Sequence, residues 1–508
     1  MKFINQTYPP GDFETHKNLC VLSDDGWDDF GFKTAFKATL FDSQGTRYDL
    51  GSLKIMSKGM ESGRVRIPRN SDGLGPTYCS LGGDRDYYLG LAEIDVPLRN
   101  SYLDGVRDCV KNLDIWAEFR EEEAMGSSLL RWVSVRDVEV SFPRILAGSS
   151  ELTSFSFKYL FRPYIGAEEE FCHFQVEPET LPPSNIHVLI GRNGVGKTRL
   201  IAGMADALTE SKAATISLPG RFEFLDKESD AETDFLNLVV VAYSVFDRLN
   251  PINKGTNRTK RGVPYQYVGI KKFSDGEAEE DITLKSSDDM TSEFDDCLWS
   301  IIADASRLER WIKALKVLES DPGIKALNFP SLLEDPDDLM RNEIRQKFEE
   351  LSSGHKIVLL TIARLVELVS DRTLVLIDEP ETHLHPPLLG SFVRALSELL
   401  MARNGVAILA THSPVVLQEV PSSCVSVLRS SGSSMRIDRP EIETFAENVG
   451  MLTRKVFGLE VEESGYFNLI RKNADGRVFE DLLDQFDNNI GTEGRALARA
   501  LTAKGEGQ

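Results

Sequence analysis

The stretch GRNGVGKT, Gly191 to Thr198, constrains this chain more than any other. It satisfies G-x-x-x-x-G-K-[ST] at every fixed position. Such a loop works only between a buried strand and a helix. Glycines let backbone N–H groups turn inward around phosphates, and the helix start adds its positive dipole end. Both flanks are legible. IHVLI (Ile186 to Ile190) reads as a short buried strand, and TRLIAGMADAL reads as a helix with Leu200, Ile201, Met204 and Leu208 on one side. An α/β fold with a mostly parallel sheet is therefore expected. Gly191, Arg192, Asn193, Gly194, Val195, Gly196, Lys197, Thr198 and Arg199 are the expected phosphate-binding segment. Lys197 is expected to reach the β- and γ-phosphates of a nucleotide, and the Thr198 hydroxyl to ligate Mg²⁺.

Two later stretches supply acidic and basic groups. TLVLIDEPETHLHPP carries an apolar strand ending in Asp378-Glu379. A carboxylate at a strand's C-terminal end suits Mg²⁺, which assigns Asp378 to the metal. Glu379 then serves as general base toward water. His383 and His385 fit the loop leaving this strand better than a zinc site, because no third ligand is evident. GVAILATHSP gives another buried strand, expected beside the Asp378 strand, and places His412 where it can contact a γ-phosphate and position water. Catalytic roles thus fall on Lys197, Glu379 and His412.

The chain's 508 residues imply two to four structural units. Residues 1–145 read as mostly β, with alternation in FGFKTAFKATLFD and YDLGSLKIM, a helical stretch, and a return to strand in RWVSVRDVEVSF. Residues 146–460 form the α/β core. Within them, 251–345 hold a basic island (Lys254, Arg258, Lys260, Arg261, Lys271, Lys272), an acidic stretch and helices. Residues 461–508 read as a helical tail. The net charge of −22 disfavours nonspecific nucleic-acid binding, although the basic island is compatible with a local groove. The six cysteines are scattered and form no CxxC pair. No apolar run is long enough for a bilayer, and the N-terminal MKFINQTYPPGDFE has no signal-peptide core, so a cytoplasmic protein is expected.

LSSGHK, Leu351 to Lys356, is by itself a helix start capped by Ser352 or Ser353. Its place between GRNGVGKT and LIDEPETHLHP, with ATHSP following, gives it more meaning. Taken in this order, the four stretches resemble the ABC-type ATPases, over roughly residues 150 to 460. LSSGHK stands where an LSGGQ-like signature sits, with Ser353 at the first glycine position and His355 at the glutamine position. The resemblance implies an ABC-type core with an antiparallel β lobe. It also implies that Ser352, Ser353 and Gly354 bind the γ-phosphate of ATP held by a second subunit, so that the active form is a homodimer or larger homo-oligomer. For the metal-contacting glutamine of such proteins, only Ser244 or Asp247 is offered.

DEPExHLHP, ATHSP and WDDFGFKTAF narrow the resemblance to stand-alone bacterial ATPases, including the ATPase subunits of Septu-type and retron-associated anti-phage systems. That implies a separate nuclease partner, of HNH type, since the sequence shows no TOPRIM-like acidic and glycine-rich motif after Pro414. A DNA repair or chromosome-maintenance ATPase of SMC kind is the alternative, although no long coiled coil interrupts residues 198–350. A transporter ATPase subunit is the third reading.

Overall fold

The computed structural model describes residues 1–7, 17–24, 26–133, 135, 137–147, 154–164, 166–178, 180–209, 220–225, 235–244, 249–251, 263–273, 282–302, 304–333, 338–431, 434–457, 465–474 and 477–503. Of the basic island, Lys254, Arg258, Lys260 and Arg261 lie outside these residues, as does Asp247.

The N-terminal part is a six-stranded mixed sheet followed by helices. Its strand order is Asn70–Ser71, Lys2–Thr7, Leu19–Asp24, Ala35–Phe41, Arg47–Ser57, Tyr78–Gly82. Helices from Arg85 to Leu146 pack on it and share one core, with Tyr87, Tyr88, Tyr102, Phe119 and Leu53 almost fully buried. The expected return to strand in RWVSVRDVEVSF is incorrect. Asp137–Ser141 form a π-helical turn that leads into the helix Phe142–Leu146. Alternating valines suggest a strand, yet beyond Val133 the residues the core takes are Val138, Phe142 and Ile145, while Val135 and Val140 are exposed. Spacings of four and three are helical, and tertiary burial selected them over the local alternation.

The core is built on a seven-stranded sheet. Its order is Tyr265–Gly269, Asn237–Ala242, Thr373–Asp378, Val406–Thr411, Ile186–Gly191, Val425–Ser431, Ser434–Asp438. The first six strands run parallel and the last is antiparallel. Successive side chains point to opposite faces. Val239, Val241, Val375, Ile377, Ala407 and Leu409 therefore face one layer, with the helices Ser287–Ile302, Ala305–Leu318, Ser353–Leu368 and Pro386–Met401. Leu238, Val240, Leu374, Leu376, Ile408 and Ala410 face the other. There they meet the helix Lys197–Thr209 and the antiparallel lobe of Phe155–Phe161, Glu170–Val176 and Arg221–Phe224. Each fully buried Leu, Ile or Val contributes about 1.5–3 kcal/mol. This explains why the strands read as unbroken apolar runs.

The N-terminal part is fastened to the core by buried charge. Asp86 accepts from Arg403 Nη2 at 2.6 Å and from Arg310 Nη1 at 2.5 Å. Arg85 donates to the Ala402 carbonyl at 3.0 Å. The tail helices Gly465–Ala474, Phe479–Gln485 and Thr492–Ala503 pack around Ile470, Leu482 and Ala498.

Candidate active site

Parallel strands bring their C-terminal ends to one edge, and the crevice there is the usual ligand site of open α/β sheets. Ile190 pairs with Thr411, and Asp378 pairs with both Ala410 and Ala242. GRNGVGKT, Asp378-Glu379 and Thr411-His412 thus emerge side by side. The expectation that the His412 strand lies beside the Asp378 strand holds, and the same strand also separates Asp378 from the phosphate loop.

The loop has the backbone a phosphate cradle needs. Gly194 and Gly196 have φ of 79° and 105°, a region that side chains rarely adopt. A Cβ on Gly191 would meet the Leu428 carbonyl oxygen at 2.5 Å. Lys197 is 4% exposed, and its Nζ donates to the Gly191 carbonyl at 3.1 Å and the Arg192 carbonyl at 3.4 Å. Its Nζ also lies 3.5 Å from Glu379 Oε1. Thr198 opens the helix beside it, while Arg192, Asn193 and Arg199 are exposed at the mouth.

Glu379 has φ 49° and ψ 59°, left-handed backbone that costs a non-glycine residue of order 1 kcal/mol or more. Its N–H donates to the Ala410 carbonyl at 2.8 Å, which anchors the turn against the next strand. The turn throws the carboxylate back toward Lys197 on one side and His412 Nδ1 on the other, with which it pairs closely. The three sequence-assigned catalytic residues therefore meet.

Glu381, which sequence reasoning missed, completes this group. Its Oε1 accepts from Thr411 Oγ1 at 2.6 Å and from the His412 N–H at 2.7 Å, and lies 3.0 Å from His412 Nδ1. The donor atoms of Glu379, Glu381 and His412 all fall within 4.8 Å of one another. Burial, with Glu379 nearby, pushes the Glu381 carboxyl above its ordinary range despite those hydrogen bonds. The signal was the E-P-E spacing, but its meaning depends on a strand 30 residues away. Glu381→Ala should lower stability by about 1.5–3 kcal/mol through two orphaned donors. It should also reduce turnover more than ATP affinity, by letting His412 drift. Thermal melting together with separate kcat and KM values checks both.

These residues fit a Mg²⁺-bound nucleoside triphosphate. The loop amides and buried Lys197 suit the phosphates, and the Thr198 hydroxyl and Asp378, 3% exposed at the strand end, suit the metal. Mg²⁺ would supply charge neutralisation on the phosphate oxygens. Ser244 stands two residues beyond Ala242, which pairs with Asp378, so of the two glutamine substitutes it is placed near the site.

Ser352, Ser353 and Gly354 are not part of this group. Ser352 caps the helix Ser353–Leu368, and Ser352 and Ser353 are exposed. A Cβ on Gly354 would meet the His383 carbonyl oxygen at 2.4 Å, so the signature packs against the segment that follows Glu379. His383 ends a 3-10 turn, Pro380–His383, and His385 caps the helix Pro386–Met401.

The strand order and this convergence define an α/β core with a phosphate-binding loop and a candidate nucleotide site at the C-terminal edge of its parallel sheet. Residues 186–418 match the family described as "AAA domain, putative AbiEii toxin, Type IV TA system". Over its length the chain is similar to protein ea59 of Escherichia phage lambda, at 37% identity across 513 residues, 96% of this chain and 95% of that protein. The chain belongs to the ea59 family. Among solved structures it is distantly similar to the SMC head domain from Thermotoga maritima (14% identity, TM-score 0.28, 57% of this chain and 99% of that one). A nucleotide-free ATP-binding cassette from an ABC transporter is similarly distant (15% identity, TM-score 0.27, 53% and 85%). No helix among the described residues is long and apolar enough to cross a membrane.

Proposed function

We propose that this chain hydrolyses ATP with Mg²⁺, closes as a homodimer around two composite sites, and controls a separate nuclease. The carrying observation is the meeting of Lys197, Glu379 and His412 beside a glycine loop at one sheet edge. A phosphate clamp, a carboxylate base and an imidazole at that spacing suit attack of water on a γ-phosphate. The exposed helix start at Ser352 and Ser353 supports the composite site, because it offers N–H groups and hydroxyls to an anion from outside its own subunit.

The nuclease partner is the finer part of the reading. We divide the chain into 1–145, 146–460 and 461–508, and assign the first and last to docking. The N-terminal part has a core of its own, and neither part carries a recognised nuclease motif. A basic nuclease would be steered by the net charge of −22. The toxin–antitoxin wording of the matched family supports a role in phage–host conflict, and within it we keep anti-phage restraint of an HNH-type nuclease. The two described residues of the basic island, Lys271 and Lys272, are engaged within the chain and lend little to a DNA-clamp reading. Lys271 Nζ donates to the Leu249 carbonyl at 3.1 Å, and Lys272 pairs with Asp289 at 2.7 Å.

Purified alone, the chain should hydrolyse ATP and leave plasmid and phage DNA intact with Mg²⁺ or Mn²⁺. Co-expressed with the product of its neighbouring gene, it should retain that protein and acquire ATP-sensitive cleavage. DNA cutting by the lone chain, lost on changes to tail carboxylates while ATPase persists, would overturn the partner model.

A further inference from the structure

The signature is held from behind by a cluster that the nucleotide site does not use. Asp321 caps the helix Pro322–Leu327, its Oδ1 accepting the N–H groups of Gly323 (2.8 Å) and Ile324 (3.0 Å). The same oxygen lies 3.1 Å from His355 Nε2, and Oδ2 lies 3.0 Å from His385 Nε2. The two imidazoles stand edge to face, 6.4 Å between centroids. The other nitrogen of His355, Nδ1, is 2.8 Å from Ser352 Oγ.

Two histidines and an aspartate with donor atoms within 4.8 Å raise the question of a metal. The surroundings of His385 argue against one. Its Nδ1 accepts the Leu388 N–H at 3.3 Å, so in the neutral ring the hydrogen sits on Nε2 and points at Asp321. A metal on Nε2 needs the opposite tautomer, with Nδ1 donating. The cluster is arranged for a proton on each Nε2, both given to Asp321.

With Nε2–H of His355 committed to Asp321, only Nδ1 can change. In the neutral ring Nδ1 takes the Ser352 hydroxyl hydrogen, and Ser352 Oγ, which also accepts the His355 N–H at 3.4 Å, has only a lone pair left to turn outward. In the imidazolium Nδ1–H donates to Ser352 Oγ, and the hydroxyl hydrogen is released to an outside acceptor. Only the second form offers a donor to a phosphate oxygen. The groups facing His355 are Asp321 and His385, and Lys356 on its own helix turns to Ser287 Oγ at 3.3 Å. Burial pushes the Asp321 carboxyl up, but the Ile324 N–H, His355 and the Gly323 N–H outweigh it and hold it below its ordinary value. Asp321 is therefore an anion able to hold an imidazolium.

We propose that Asp321 and His355 are positioning residues for the signature hydroxyl: the protonated His355, held by Asp321, turns the Ser352 O–H toward the γ-phosphate bound by the partner subunit. This rests on the composite-site reading above. Engagement of phosphate by Ser352 favours the imidazolium form of His355. The contribution is present where His355 carries both protons and is lost as rising pH removes one.

The test is kcat and KM for ATP from about pH 6 to about pH 9, with melting temperatures, for the parent, His355→Gln, Asp321→Asn, His385→Gln and Ser353→Glu. The parent kcat/KM should fall on the alkaline side by up to about tenfold per pH unit. His355→Gln should lose that limb, because the amide side chain has no nitrogen that titrates in this range. Asp321→Asn keeps a helix cap and should move the fall to lower pH. An unchanged alkaline limb in both His355→Gln and Asp321→Asn overturns the proposal. So does one equivalent of Zn²⁺ in the purified chain that is lost in His385→Gln. If Ser353→Glu retains parent activity, the composite-site reading fails. If Ser353→Glu is inactive while the pH limb survives both relay variants, only the relay fails.

Discussion

Glu379→Gln is expected to bind ATP as tightly as the parent and to lose about 10²- to 10⁴-fold in kcat, the usual contribution of a positioned general base. The substitution keeps shape and hydrogen-bonding reach but cannot accept a proton at neutral pH. Binding should survive because Lys197 keeps its Gly191 and Arg192 carbonyl contacts, and the loop glycines are untouched. Asp378, the residue assigned to the metal, also remains at its strand end. Nor can the neighbouring carboxylate take over easily. Glu381 Oε1 is committed to Thr411 Oγ1 and the His412 N–H, which hold it in place. Equilibrium binding of a fluorescent ATP analogue and single-turnover hydrolysis separate the two effects. Equal turnover in Glu379→Gln and the parent would sink the assignment of the base.

Lys197→Ala and Ser353→Glu should each be inactive alone and should recover activity when mixed. Lys197→Ala removes the buried cation that clamps the phosphates. Ser353→Glu places a carboxylate where the γ-phosphate of the partner's nucleotide would dock, and like charges repel. Glutamate suits the first turn of a helix, so Ser353→Glu should fold. Gly354 is a poorer choice, because any side chain there meets the His383 carbonyl of the same subunit before it meets a phosphate. In a two-fold dimer with sandwiched sites, random mixing makes half the dimers mixed, and each has one intact site of two. Turnover should return to about a quarter of the parent value if one site fires alone. No recovery, with mixed dimers demonstrated by mass, would mean that both sites must act together or that the sandwich is wrong.

The phosphate loop, its strand and its helix were readable from the sequence because each depends on neighbours within a few residues. Glycines at 194 and 196 are needed for local φ values, and Leu200, Ile201, Met204 and Leu208 mark one helix face directly. The apolar runs at 373–377 and 406–410 announced strands buried on both faces, and the residues that follow them had to emerge at a sheet edge. What joins distant segments left no such trace. Glu381 gains its role only when the Thr411 strand is laid beside the Asp378 strand, and Asp321 only when His355 and His385, 34 and 64 residues further on, close over it. Val133 and Val135, then Val138 and Val140, spell a strand by local alternation, yet the N-terminal core accepted Val133, Val138, Phe142 and Ile145 and made helical turns from Asp137 to Leu146. Sequence determined the chemistry and the local backbone, since these depend on residue type and short-range sterics. Tertiary structure decided which carboxylates hold which imidazoles, because a hydrogen bond between distant residues forms only where packing has already placed both ends.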